Sequence, residues 1–188
     1  MMEVNFIATF KPQLLFFILP CATMNIDQHW LTPATHTLSP NFDERIDPVD
    51  ISLIVIHCIS LPPGEFDTPH IDQLFCNQLE PECHPYFKAI YQLTVSAHLL
   101  IKRSGEIVQY VPFDKRAWHA GKSEYLGRER CNDFSIGIEL EGTEWLPYTD
   151  EQYTQLPEVI KTFLQTYPTL SPHHITGHTN IQSARKTH

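Results

Sequence analysis

Two histidines close short apolar runs, and an imidazole at such a place can hold a metal ion. His57 ends Leu53-Ile54-Val55-Ile56-His57, and His178 follows Ile175-Thr176-Gly177. A catalytic zinc site takes nitrogen, sulfur or oxygen donors and keeps one tetrahedral position open for water. A rigid strand end fixes such a donor better than a loop does, and Gly177 lets backbone and ligand approach closely. Eleven histidines in 188 residues make a metal site worth seeking. Yet each of the two, taken alone, is more often a core or surface imidazole. Their wide separation also has nothing of the compact H-E-x-x-H pattern.

The elements that would position these side chains can be read from local pattern. Residues 53–57 are an apolar run of β-forming types and predict a buried strand. Two prolines and a glycine at Pro62, Pro63 and Gly64 must turn the chain after it. Residues 69–79 and 85–92 carry apolar positions at helical spacing and predict short helices. Residues 97–101 and 107–110 flank Ser104-Gly105, a hairpin signal. Residues 134–140 alternate and predict another strand. A long helix is expected over 150–167, where Tyr153, Leu156, Ile160, Phe163 and Leu164 recur near a 3.6 period. Thr149 or Asp150 would cap it, and Pro157 should kink it or delay its start. A last short strand is expected at Ile175-Thr176-Gly177-His178. Residues 30–50, rich in Pro, Thr and Asp, read as an irregular lead-in. The pattern is that of an α/β single domain with a mixed central β-sheet flanked by helices.

Composition limits the rest. With 42% hydrophobic and 19% charged residues, the chain can bury an ordinary core. A net charge of −9 speaks against nucleic acid as a partner, which needs clustered Lys and Arg. Five cysteines, Cys21, Cys58, Cys76, Cys83 and Cys131, form no C-x-x-C pair and read as reduced thiols in a cytoplasmic protein. Residues 1–23 differ in character from the rest of the chain. Their apolar run from Leu14 to Cys21 is shorter than the ~20 residues a bilayer-spanning helix takes, so no membrane partner is expected. Glu3 and a lone Lys11 make a poor signal n-region. The expectation is that 1–23 is a gene-model extension, with a weak signal-like segment as the alternative. The domain proper then occupies 24–188.

Three stretches carry a resemblance. Residues 55–66 include Val55-Ile56-His57-Cys58, residues 108–121 end in Trp118-His119-Ala120-Gly121, and residues 128–142 end in Ile136-Gly137-Ile138-Glu139-Leu140-Glu141-Gly142. Together they resemble anhydro-N-acetylmuramoyl-L-alanine amidases of the AmpD type. These belong to the zinc amidase family that also includes phage lysozyme-like amidases and peptidoglycan recognition proteins. The resemblance covers about residues 24–187.

It implies the zinc amidase fold and zinc-dependent hydrolysis of the amide bond between N-acetylmuramic acid and L-alanine. The substrate would be a muropeptide met during cytoplasmic cell-wall recycling. By the same resemblance His57 and His178 are zinc ligands, Glu139 is the general acid/base, and Lys186 stabilises the oxyanion. For Glu139 the bland alternative is a strand carboxylate facing solvent. The family's third ligand is an aspartate in an Arg-Lys-Thr-Asp-Pro-Gly-Pro run. Here Arg185-Lys186-Thr187 is followed by His188, so His188 takes the ligand position, and three histidines are a known catalytic set. A truncated end is expected, and with it the alternative of a catalytically impaired muropeptide-binding protein.

Trp118 would lie on the flat face of a sugar, or else in the core. Arg130 would pair with a stem-peptide carboxylate through its planar fork, or else be a surface charge. His98 and His119 recur in the family pattern and read as supporting residues. Two positions depart from it. Cys58 stands where the family has asparagine, and Thr94 where it has arginine. Cys58 could reach the metal only if it escaped the rule that neighbours on a strand point to opposite faces.

Overall fold

A computed structural model describes residues 24–181. In chain order these form β1 (Asn25–Asp27), β2 (Trp30–Thr32), β3 (Thr35–His36), β4 (Phe42–Glu44), β5 (Leu53–Ile59) and α1 (His70–Phe75). Then come β6 (Leu99–Ile101), β7 (Ile107–Gln109), β8 (Lys115–Ala117), β9 (Glu124–Tyr125), β10 (Arg128–Glu129), β11 (Ser135–Glu141), α2 (Asp150–Thr166) and β12 (Ile175–Gly177). The expectation for residues 1–23 lies outside the described residues. Among those described, no helix is long and apolar enough to cross a membrane.

The central sheet has six strands in the order β12-β5-β11-β6-β7-β3. It is mixed, as expected. β12, β5, β11 and β6 run parallel, β6 and β7 form the antiparallel hairpin around Gly105, and β3 joins β7 in parallel. β5 and β11 sit between neighbours, and every residue of β11 is buried, which suits strands enclosed on both faces.

Side-chain alternation divides the core in two. Ile54, Ile136, Ile138, Leu140, Leu99 and Ile101 pack on one face with Val159 and Phe163 of α2. Leu53 and Val55 point the other way, toward Ala120, Cys131, Phe134 and Ile181. On that second face, nearer the hairpin, Leu100 and Val108 meet Ile71, Leu74 and Phe75 of α1.

Several expectations need correction. Residues 30–50 are not an irregular lead-in: they contribute β2, β3 and β4, with β2 closing a hairpin on β1 and β4 pairing with β8. Strands this short have too few residues to display a period. The helix expected over 69–79 stops at Phe75, because Asn77 takes a left-handed φ of 58° that ends it. The stretch expected as a helix over 85–92 is a 3-10 turn, Pro85–Ala89.

The long helix starts at Asp150, capped by Thr149, whose side chain accepts from Gln152 N–H in a reciprocal capping box. It neither starts late nor stops at Pro157. Pro157 and Tyr153 both lie on its solvent side, so water can serve the Tyr153 carbonyl that proline cannot. Tyr153, expected on the apolar face, is 61% exposed.

Candidate metal centre

Strand register assembles the site. Glu139 on β11 lies directly opposite His57 on β5. On the other side of β5, Gly177 pairs with Ile56, so the next residue, His178, arrives beside His57. The His57 and His178 rings lie 4.7 Å apart between centroids. By alternation His57 shares the face of Leu53 and Val55, away from α2. The group therefore sits at the carboxyl ends of parallel strands, where open α/β sheets bind their ligands.

Enclosure sets the protonation of these groups. His57 is 7% exposed. Burial, with the neighbouring His178, pushes its pKa down to about 3. Burial lowers His178 as well. Both imidazoles are therefore neutral near pH 7 and can offer a lone pair. Glu139 is 8% exposed, and burial pushes its carboxyl up to about 8. Its Oε1 lies 3.9 Å from His57 Nδ1. The solvent-facing alternative for Glu139 is thus ruled out.

Two buried polar atoms here, Glu139 Oε2 and His178 Nδ1, have no partner among the described residues. Leaving such atoms unpaired costs ~1–3 kcal/mol each, which native interiors avoid unless another group serves them. Two neutral imidazoles and an enclosed carboxyl group, which a nearby cation would favour in its ionised form, fit a zinc ion with a reacting water. Among the described residues no cluster of three His, Cys, Asp or Glu side chains completes a metal site. Lys186 and His188 lie outside the described residues.

A second layer of polar residues stands behind His57. His57 Nε2 is 2.9 Å from His119 Nδ1, and His119 Nε2 is 3.1 Å from Ser135 Oγ. His98 accepts from Gly137 N–H through Nδ1 at 3.0 Å, and its Nε2 lies 3.1 Å from the Lys115 carbonyl. Arg45 is buried without a carboxylate partner among the described residues. Its guanidinium donates to the carbonyls of Phe113, Asn132, Asp133 and Ser135, and burial lowers its pKa to about 10. It clamps the turn that leads into β11. The sequence pattern named His98 and His119 as supporting residues, but Arg45 carried no signal: a lone arginine among Asp and Pro looks like any surface charge.

A profile of the N-acetylmuramoyl-L-alanine amidase family matches residues 47–188. The chain belongs to this family. The 1,6-anhydro-N-acetylmuramyl-L-alanine amidase AmpD of Citrobacter freundii is 58% identical over 164 residues, 87% of each chain. AmpD of Escherichia coli K12 is 57% identical over 164 residues, 87% of this chain and 89% of that one. A crystal structure of a selenomethionine AmpD derivative superposes with a TM-score of 0.83 at 58% identity, covering 87% of this chain and 91% of that one. The expectation of a zinc-amidase-type α/β fold is thereby met.

In this amidase Trp118 and Arg130 are joined by a continuous string of contacts. The Trp118 indole lies near Asp43 and helps hold its carboxyl down, and Arg116 bridges Asp43 and Asp133 at 2.6 Å on each side. Arg130 pairs with Asp133 at 3.1 Å. Trp118 is half-buried rather than core, while the Arg130 side chain is 63% exposed. The two are tied to the segment that carries His119 through Asn132, whose Oδ1 accepts from the backbone N–H of His119 and Ala120. Neither side chain hydrogen-bonds to His57 or Glu139. Cys58 does not join the histidines. It lies across from Leu140 and packs by Gly142 and Tyr148, on the opposite face of β5 from His57. Thr94 is exposed in the loop before β6.

Proposed function

We propose that this amidase hydrolyses the amide bond between (anhydro-)N-acetylmuramic acid and L-alanine in muropeptides, as a zinc enzyme of cytoplasmic cell-wall recycling. The observation that carries it is the register: His57, Glu139 and His178 meet on one enclosed face at the strand ends. High identity to two AmpD amidases over most of both chains supports the substrate class. The four described cysteines are all unpaired, which supports a reducing compartment.

His57 and His178 would hold zinc together with His188. The ion, when bound, supplies a Lewis acid for the amide carbonyl and lowers the pKa of an attacking water. Burial favours the protonated Glu139 while no cation is near; a cation held by the histidines would favour its ionised form. The carboxylate then takes the water's proton and passes it to the departing alanine nitrogen. Lys186 sets a positive charge against the developing oxyanion. Trp118 packs on the sugar, and Arg130 exchanges part of its pairing with Asp133 for a stem-peptide carboxylate.

The test combines metal analysis with peptide release from an anhydromuramoyl-tripeptide. One zinc per chain and released peptide are expected. Glu139→Ala should keep the zinc and lose ~10²–10⁴-fold in turnover. Zinc without turnover in the wild type would instead indicate a protein that grips muropeptides without cutting them.

A further inference from the structure

We propose that a hydrogen-bond chain from the Cys131 carbonyl through Ser135 and His119 fixes His57 as its Nε2–H tautomer, leaving Nδ1 as its donor atom. This rests on the reading of His57 as a zinc ligand. It adds Ser135 and His119 as positioning residues.

The tautomer follows from counting protons along the chain. Ser135 Oγ lies 2.6 Å from the Cys131 carbonyl oxygen, which can only accept, so the hydroxyl proton goes there. Toward His119 the same oxygen can then only accept, and His119 Nε2, at 3.1 Å, must carry a proton. A neutral imidazole holds one proton and one lone pair, so His119 Nδ1 is the acceptor. His57 Nε2, at 2.9 Å from it, must therefore donate. That leaves Nδ1 of His57 bare, on the side where Glu139 Oε1 lies.

His119 has no reason to be charged. Its ring meets the Ser135 hydroxyl, the His57 ring, the His98 ring at 5.8 Å and the Gly137 backbone, with the Arg45 guanidinium near by. No carboxylate among the described residues bonds to it.

The start of the chain is rigid. Cys131 opens a 3-10 turn, its N–H donates to Ser123 Oγ, and its carbonyl also accepts from Phe134 N–H. Arg45 holds the next carbonyls at Asn132, Asp133 and Ser135. Glycine at 137 leaves the space the His119 ring fills. Histidine ligands need a partner on their second nitrogen to fix tautomer and ring orientation. In this chain that partner is another imidazole whose own tautomer is set by a backbone carbonyl.

The experiment begins with metal-free wild type labelled with ¹⁵N-histidine. Long-range ¹H–¹⁵N spectra near neutral pH should show both His57 and His119 protonated at Nε2; an Nδ1–H His57 would overturn the proposal. Zinc affinity is then measured by chelator competition. His119→Leu should weaken it ~10–100-fold, and His119→Gln, whose amide oxygen can accept from His57 Nε2–H, should recover part of the loss. Ser135→Ala, which removes the acceptor but little volume, should let His57 sample both tautomers. An unshifted tautomer in Ser135→Ala, or unchanged affinity in His119→Leu, would overturn the chain. Correct tautomers in a wild type that binds no zinc would overturn the metal reading instead, and with it the purpose given to the chain.

Discussion

Replacing Gly137 with alanine tests the coupling between sheet and site with one methyl group. A Cβ at this position would stand 2.4 Å from His119 Cγ and 2.6 Å from Cδ2 and Nδ1. Carbon atoms in ordinary contact keep ~3.5–4.0 Å apart, so something must retreat by about 1 Å. The strand cannot easily do so. Gly137 pairs with Val55 of β5 on one side; on the other its carbonyl accepts from the His98 N–H and its N–H donates to His98 Nδ1, each 3.0 Å long. The His119 ring yields, and its 2.9 Å contact with His57 is lost.

Overpacking of this kind costs ~1–3 kcal/mol. At ~2–4 °C per kcal/mol for a chain of this size, Tm should fall by roughly 2–12 °C. If His57 holds the metal as proposed, displacing the imidazole behind it by about 1 Å should cost on the order of 10²-fold in kcat/KM. Scanning calorimetry and peptide release from an anhydromuramoyl-tripeptide read the two effects on one preparation. An alanine variant with unchanged Tm and wild-type turnover would refute the claim that the His119 ring fills the space glycine leaves.

Two further outcomes are expected. The Arg116 guanidinium, helped by the Trp118 indole, holds the Asp43 carboxyl below its usual range despite some burial. A folded pKa below the unfolded value of ~3.9 means stabilisation is complete above that value and fades as pH falls through the folded pKa. The urea-midpoint difference between wild type and Asp43→Asn should therefore be widest near neutrality and close in acid. Solvent access keeps the effect within ~0–1 kcal/mol, and a difference that grows in acid would contradict it. On the other face, Phe163 is fully buried, edge-on to Phe113 at 4.8 Å. Phe163→Ala should lower stability by ~3–5 kcal/mol in urea titration. Its zinc content per folded molecule should not change, because the sheet separates it from His57.

Local pattern made much of this protein legible. The run at 53–57 became Leu53–Ile59, the alternation at 134–140 became Ser135–Glu141, and the Ser104-Gly105 hairpin formed with Leu100 opposite Val108. Thr149 capped the long helix as its residue type requires. These succeed because hydrophobic period, turn chemistry and capping act within a few residues of chain. The two- and three-residue strands β2, β3 and β4 escaped notice because their pairing partners, not their own residues, make them strands. The late start expected from Pro157 did not occur, because its lost bond faces solvent, where water can serve the Tyr153 carbonyl.

The sequence by itself determined which side chains are chemically capable: His57, His178, Glu139, Trp118 and Arg130 were all named from type, pattern or resemblance. Only the tertiary structure decided that Glu139 stands opposite His57, that His178 arrives beside it, and that Cys58 turns away. It alone brought Arg45, His119 and Ser135 behind the site. The reason is physical: a side chain's type is a property of one residue, whereas register and burial arise when distant strands pair and close over a common core. Those same two properties set which imidazole nitrogens face one another and how far an enclosed carboxyl is withdrawn from water.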